Sequence, residues 1–266
     1  MSVIKTDQWL QKYYDNPVEL CKQIKKYFHG ARADDIYEHL TSHGMYRQPQ
    51  ADGDALISAL KEKGIWQIIK TENKKLQSSW DGPSVPIFIL PADPHNKKLI
   101  KDTGGKSGLA FHDKLFLFIS EKNTADEIRA LFTHEYNHVC RLAKLSKKEA
   151  DFTLLDTIIL EGIAEYSVSK RVGKQYVAPW INYYSKSDLE KIWEELILPN
   201  KSLSRRHPKH QKILYGIGFY PKMAGYAIGY DLVKKFMQTK QLTVTALLKT
   251  PSETIADTYT KQGSYK

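Results

Sequence analysis

Cysteine is scarce: Cys21 and Cys140 are the only two in 266 residues, too few for the disulfide framework of a small secreted domain. Long apolar runs are also missing, and none approaches the roughly 20 residues that cross a bilayer. The opening Met1-Ser2-Val3-Ile4-Lys5-Thr6-Asp7 lacks the apolar stretch of a signal peptide. The expected setting is therefore soluble, reducing and cytoplasmic, with no membrane partner. Internal repeats, low-complexity tracts, a zinc knuckle, an aromatic RNA-binding signature and a basic tail are all absent. Net charge is +10, from 40 basic and 30 acidic residues. Lysines such as Lys22, Lys25, Lys26, Lys61, Lys63, Lys147 and Lys148 are spread along helical patterns, so solvated helix faces account for most of the excess. A nucleic-acid partner is not expected, although a basic nucleic-acid-binding or regulatory module remains the alternative to an enzyme. The densest basic stretch, residues 205–212, reads as a loop.

Against these absences stands one dense cluster of chemistry, His134-Glu135-Tyr136-Asn137-His138, which reads H-E-x-x-H. Two imidazoles at i and i+4 lie one above the other on a single helix face, a spacing that lets both bind one Zn²⁺. Glu135 is turned about 100° from His134. It therefore stands beside such a metal, where it can take a proton from water the metal activates. The motif needs a helix, and the sequence supplies one. Thr124-Ala125-Asp126-Glu127 is a capping box, and Ile128, Leu131, Phe132 and Val139 follow at helical spacing. Cys140 falls on the opposite side of that helix and reads as a small buried hydrophobe.

A second helix is predicted over residues 146–173, opened by Ser146-x-x-Glu149 and closed by Gly173. Leu154, Leu155, Ile158, Ile159 and Ile163 make it strongly apolar, yet it carries Glu161 and Glu165 on one face. Buried carboxylates need partners, and a zinc ion with its imidazoles would provide them. A third protein ligand would leave the fourth zinc position open for water. Gly162 weakens the helix, which predicts close approach of another backbone or helix at the metal.

These strings resemble the gluzincin metallopeptidases: H-E-x-x-H on one helix, a glutamate on the next. They are similar more closely to a bacterial domain-of-unknown-function family of predicted zinc-dependent proteases, through His134 to Val139 (H-E-Y-x-H-V), Leu160 to Glu165 (L-x-E-G-x-A-E) and Gly225 to Tyr230 (G-Y-x-x-G-Y). The resemblance covers roughly residue 85 to the C-terminus. It implies His134, His138 and Glu161 as zinc ligands, Glu135 as general base, and Glu165 as the carboxylate that orients a ligand imidazole. Glu165 is the alternative ligand, and the glycine beside Glu161 favours Glu161. The resemblance further implies an oxyanion donor, for which Tyr226 is the first candidate, ahead of Tyr230, His207 and His210. The implied substrate is a peptide or protein. No glycine-rich exopeptidase motif precedes His134, which favours an endopeptidase. A non-peptidase zinc hydrolase, or a protein that merely binds metal, is the other alternative.

The expected fold class is α+β and zincin-like. Residues 1–82 form a helical extension and residues 83–266 the peptidase domain, with a small mixed sheet, the motif helix and a helical C-terminal half. Asn16-Pro17 opens an early helix, and one longer helical pattern runs over residues 52–77. Residues 85–91 and 115–119 read as apolar strands. Gly108-Leu109-Ala110-Phe111 is the candidate edge strand for pairing with an extended substrate backbone. Ser187-x-x-Glu190 caps a short helix that Pro199 stops, and residues 224–240 form a long helix.

Overall fold

Ile87-Phe88-Ile89-Leu90-Pro91 and Leu115-Phe116-Leu117-Phe118-Ile119 are apolar at every position, a composition suited to strands covered on both faces. In the computed structural model, which describes residues 2–263, they are strands β1 (Ile87–Pro91) and β3 (Leu115–Ile119), and every residue of both is buried. They pair in parallel, Ile87 opposite Leu115 and Pro91 opposite Ile119. Strand β2 (Ser107–Ala110) runs antiparallel to β3, with Ser107 opposite Phe118 and Ala110 opposite Leu115. The order is β1-β3-β2, so β2 is an edge, half-buried throughout. The result is a mixed three-stranded sheet in a mainly helical α+β chain.

The chain divides into two compact units, Met1–Val139 and Cys140–Lys266. In the first unit, helices α1 (Thr6–Tyr13), α2 (Pro17–Ile24), α3 (Ala33–Ser42) and α4 (Gly53–Glu62) share one apolar core with the sheet. Phe88, Leu90, Phe116 and Phe118 present one sheet face to Leu10, Leu20, Ile24, Ile36, Leu40 and Ile57. Phe88 and Phe116 stack, with centroids 4.7 Å apart. Asn16 caps α2 by accepting the Glu19 N–H at 3.2 Å, with Pro17 at the first helical position, as its sequence predicts. The predicted single helix over residues 52–77 is two, α4 and α5 (Ile65–Trp80). Gly64 adopts φ +64° between them, a left-handed conformation that ends the first helix and turns the chain into the second. Helix α6 (Lys97–Thr103) precedes β2. Helix α7 (Ala125–Lys144) starts at the predicted capping box: the Thr124 N–H donates to Glu127 Oε2 at 2.7 Å, and the Glu127 N–H to Thr124 Oγ1 at 3.3 Å.

The second unit is helical among its described residues: α8 (Leu154–Arg171), α9 (Lys186–Lys191), α10 (Leu198–Asn200), α11 (Pro208–Tyr215), α12 (Ala224–Lys240), α13 (Val244–Lys249) and α14 (Ser252–Gly263). Helix α8 begins eight residues later than Ser146. Residues Glu149–Asp151 form only a 3-10 turn, and Glu149 ion-pairs with Arg205. The effective box is Thr153 with Asp156: the Thr153 N–H donates to Asp156 Oδ2 at 2.9 Å. Likewise α9 is capped by Ser185 with Asp188 and not by Ser187 with Glu190. The helical course ends at Asn200, one residue beyond Pro199, in line with the expected stop. A π-helical segment, Ile192–Ile197, leads into α10, and its wider turn accommodates a residue that has no N–H to give.

Asp156 also anchors a buried network. It accepts from Lys147 Nζ at 2.5 Å and from Ser252 Oγ at 2.8 Å, while Arg141 Nη2 donates to Ser252 Oγ at 3.2 Å. Burial alone would raise the Asp156 pKa, but the bonds from Lys147, Thr153 and Ser252 outweigh it and hold the carboxyl below its ordinary value. The folded-state pKa thus lies below the unfolded one, so this stabilisation is complete above about pH 4 and is lost as pH falls through the folded value. Asp156→Asn should cost about 1–3 kcal/mol at neutral pH. The difference in melting temperature from wild type should shrink steadily below about pH 4; a pH-independent difference would place the stabilisation elsewhere.

Candidate metal centre

Helix α7 carries His134, Glu135 and His138 in consecutive turns, as the motif's chemistry requires. Within the first unit Tyr136 helps fix that stretch: its hydroxyl donates to the Pro83 carbonyl at 2.8 Å, and its ring stacks between Trp80 and Phe132. On the opposite side of the helix the two imidazoles converge. Their Nε2 atoms are 3.0 Å apart, with the rings nearly perpendicular at 87°. Two nitrogens each about 2.0–2.1 Å from one tetrahedral Zn²⁺ stand roughly 3.3 Å apart. The pair is thus spaced as two ligands of a single ion would be.

Glu135 is buried, at 8% exposure, and lies against the edge strand. A Cβ on Gly108 would stand 2.7 Å from Glu135 Oε1 and overlap Glu135 Cγ and Cδ. The φ of Gly108 is not in the left-handed range, so its glycine serves space rather than backbone conformation. The edge strand and the proposed base therefore touch because position 108 has no side chain. A glycine inside a strand pattern signals such an approach.

In the second unit, Glu161 and Glu165 sit one turn apart on α8. Gly162, between them, meets α12 backbone to backbone: a Cβ there would fall inside the Gly229 carbonyl, and one on Gly229 would fall onto the Ile158 carbonyl. The close approach predicted at Gly162 is present. Glu161 is half-buried. Glu165 is buried and accepts the Ala178 N–H at 3.0 Å. Tyr226, near the start of α12, is buried between the rings of Trp180 and Tyr215, at centroid distances of 5.7 and 5.5 Å. Tyr215 is hydrogen-bonded to Tyr226. Its pKa is raised, first by burial and then by the negative charge of Glu161, with the Tyr226 bond opposing. Glu161, Tyr215 and Tyr226 therefore form one electrostatic neighbourhood.

The remaining oxyanion candidates lie differently. Tyr230 donates to Ser169 Oγ at 3.3 Å. The stretch over residues 205–212, expected as a loop, is in its second half the start of α11. His207 caps that helix, accepting the Lys209 N–H at 3.1 Å, with Pro208 in the first turn. His210 is fully buried, with Nδ1 at 3.3 and 3.2 Å from the Leu203 and Ser204 carbonyls, and burial lowers its pKa. Cys140 is buried and reduced. Nothing in the local sequence pattern distinguishes Tyr215 from the other tyrosines of this segment.

A family model described as Predicted Zn-dependent protease (DUF2268) matches residues 65–257. The chain belongs to this family. Among curated proteins, the uncharacterized protein YjaZ of Bacillus subtilis (strain 168) is 41% identical over 260 residues, covering 97% of this chain and 99% of the relative. The uncharacterized protein YjfC of the same organism is 26% identical over 207 residues, 75% of this chain and 69% of the relative. No solved structure matches. As a member of this family the chain is classed with predicted zinc proteases, and the family match covers the motif helix, α8 and most of α12 to α14. Among the described residues no helix is long and apolar enough to cross a membrane.

Proposed function

We propose that this chain is a zinc-dependent peptidase of gluzincin type that cleaves peptide bonds within extended substrates. The carrying observation is the pair of converging His134 and His138 nitrogens on the helix that also presses Glu135 against an edge strand. His134, His138 and Glu161 would hold the ion, each offering one ligand atom, two imidazole nitrogens and a carboxylate oxygen. That donor set is typical of a catalytic zinc site, three protein ligands with a position left over. When bound, zinc supplies Lewis acidity toward water and the scissile carbonyl. Glu135 takes the proton of the attacking water and delivers it to the leaving amine. Its burial keeps that proton from bulk solvent between the two transfers. The outer edge of β2, paired with no strand among the described residues, would align the substrate backbone by adding it as a further strand. Tyr226 would donate its hydroxyl hydrogen to the developing oxyanion. Glu165 would hold a ligand imidazole in its metal-binding orientation.

The direct test is the metal content of the purified protein. Wild type should carry about one zinc per chain, and Glu161→Ala much less, since a three-ligand site loses one donor. Circular dichroism should be unchanged, because Glu161 is only half-buried. Wild type without zinc after reconstitution would sink the reading. Full zinc in Glu161→Ala together with loss in Glu165→Ala would transfer the ligand role to Glu165.

A further inference from the structure

Six large hydrophobic side chains are exposed among the described residues, and four of them gather in one place: Tyr183, Tyr215, Ile217 and Phe219, the last fully exposed at 108%. Tyr215 is the last residue of α11 and is hydrogen-bonded to Tyr226, and Ile217 and Phe219 belong to the connection that follows. Tyr183 joins them through Lys222, whose Nζ lies 5.6 Å from the Tyr183 ring centroid and whose carbonyl accepts the Tyr184 hydroxyl at 2.6 Å. The base of the loop is closed, with the Met223 N–H donating to the Tyr215 carbonyl at 3.0 Å and the Ile217 N–H to the Lys212 carbonyl at 2.8 Å. Gly216 and Gly218 turn it through left-handed conformations, φ +70° and +76°, between the two outward side chains. A closed loop that holds a phenylalanine wholly in water incurs a hydration cost with no return inside the fold.

Charge identifies what covers it. From Glu195 to Asp231 the sequence contains no intervening acidic residue, and it contains Lys201, Arg205, Arg206, Lys209, Lys212 and Lys222. Arg205 is taken up by Glu149. Lys209 and Lys212, on the helix that runs into the loop, and Lys222, where it leaves, are exposed. Protruding apolar tips on a stretch that carries exposed lysines and no carboxylate of its own suit an apolar layer beneath an anionic layer. Single-stranded nucleic acid fits less well, because Ile217 offers no face for a base to stack on.

We propose that the 216–222 loop docks this chain onto anionic lipid bilayers: Phe219 and Ile217 enter the acyl boundary, Tyr183 lies at headgroup level, and Lys209, Lys212 and Lys222 meet the lipid charges. The contact is with the membrane surface and involves no span. It also stands apart from the metal reading, since vesicle binding requires neither zinc nor Glu135.

The test is co-sedimentation of the full chain with sucrose-loaded vesicles, either of phosphatidylcholine alone or with roughly one-third phosphatidylserine. Wild type should pellet with the anionic vesicles and stay in solution with the neutral ones, and raised salt should release it. The double variant Phe219→Ser, Ile217→Ser should lower the partition coefficient by about tenfold or more, with little change in its melting temperature because Phe219 lies wholly and Ile217 half in water. Lys212→Gln with Lys222→Gln should weaken binding to anionic vesicles alone. Wild type remaining in the supernatant with both vesicle types would overturn the proposal, as would pelleting that the double serine variant leaves intact. Loss of peptide cleavage in that variant without any vesicle binding by wild type would make the loop a substrate clamp instead.

Discussion

Glu135→Gln should retain the metal and lower peptide hydrolysis by about 10²–10⁴-fold, the usual contribution of a positioned general base. The amide matches the carboxylate in shape, so the packing against Gly108 survives. What disappears is the capacity to accept a proton. The two imidazoles are untouched and their nitrogens keep their 3.0 Å spacing, so zinc measured by elemental analysis should equal wild type. Cleavage by the variant at wild-type rate would remove Glu135 as the base. Lost cleavage with lost zinc would mean that the carboxylate helps hold the ion.

The second large effect is one of packing and not of proton transfer. Gly162→Ala places a methyl group inside the Gly229 carbonyl, and backbone offers no rotamer through which to yield. Overpacking a core typically costs about 1–3 kcal/mol, and a clash with backbone belongs at the upper end. At roughly 2–4 °C per kcal/mol for a chain of this size, melting should fall by about 6–12 °C. Gly229→Ala should do the same, because its methyl meets the Ile158 carbonyl. Melting of Gly162→Ala within about 2 °C of wild type would mean that α8 and α12 can separate cheaply, against the close-packing rule for interiors.

Much of this arrangement is legible in the sequence where a residue has a single physical role. Thr124 and Glu127 start α7 because each satisfies the other's free N–H. Gly162 announces the crossing with α12, since a helix-weakening glycine in an apolar helix needs a reason of that kind. The apolar runs of β1 and β3 name the core, and the limits of α12 agree with their prediction. Reading fails where two equivalent signals compete. Ser146-x-x-Glu149 and Thr153-x-x-Asp156 look alike, and the outcome is set by distant partners: Arg205 pairs with Glu149, while Lys147 and Ser252 secure Asp156. Gly64 is visible in the sequence, but an isolated glycine is compatible with a continuous helix, and only its left-handed φ divides α4 from α5. Tyr215 has no local signature at all. Its significance comes from Tyr226 and Glu161, which the fold brings beside it.

The edge strand Ser107-Gly108-Leu109-Ala110 has one residue without a side chain, and that residue lies under Glu135. A slip of one position along β3 would exchange the two faces of the strand. Leu109 or Ser107 would then press into the Glu135 carboxylate, and apolar and polar side chains would trade places. The correct hairpin register is thus checked twice, once by burial and once by the carboxylate itself. A slipped strand would therefore crowd the candidate base at the moment it lost its own packing.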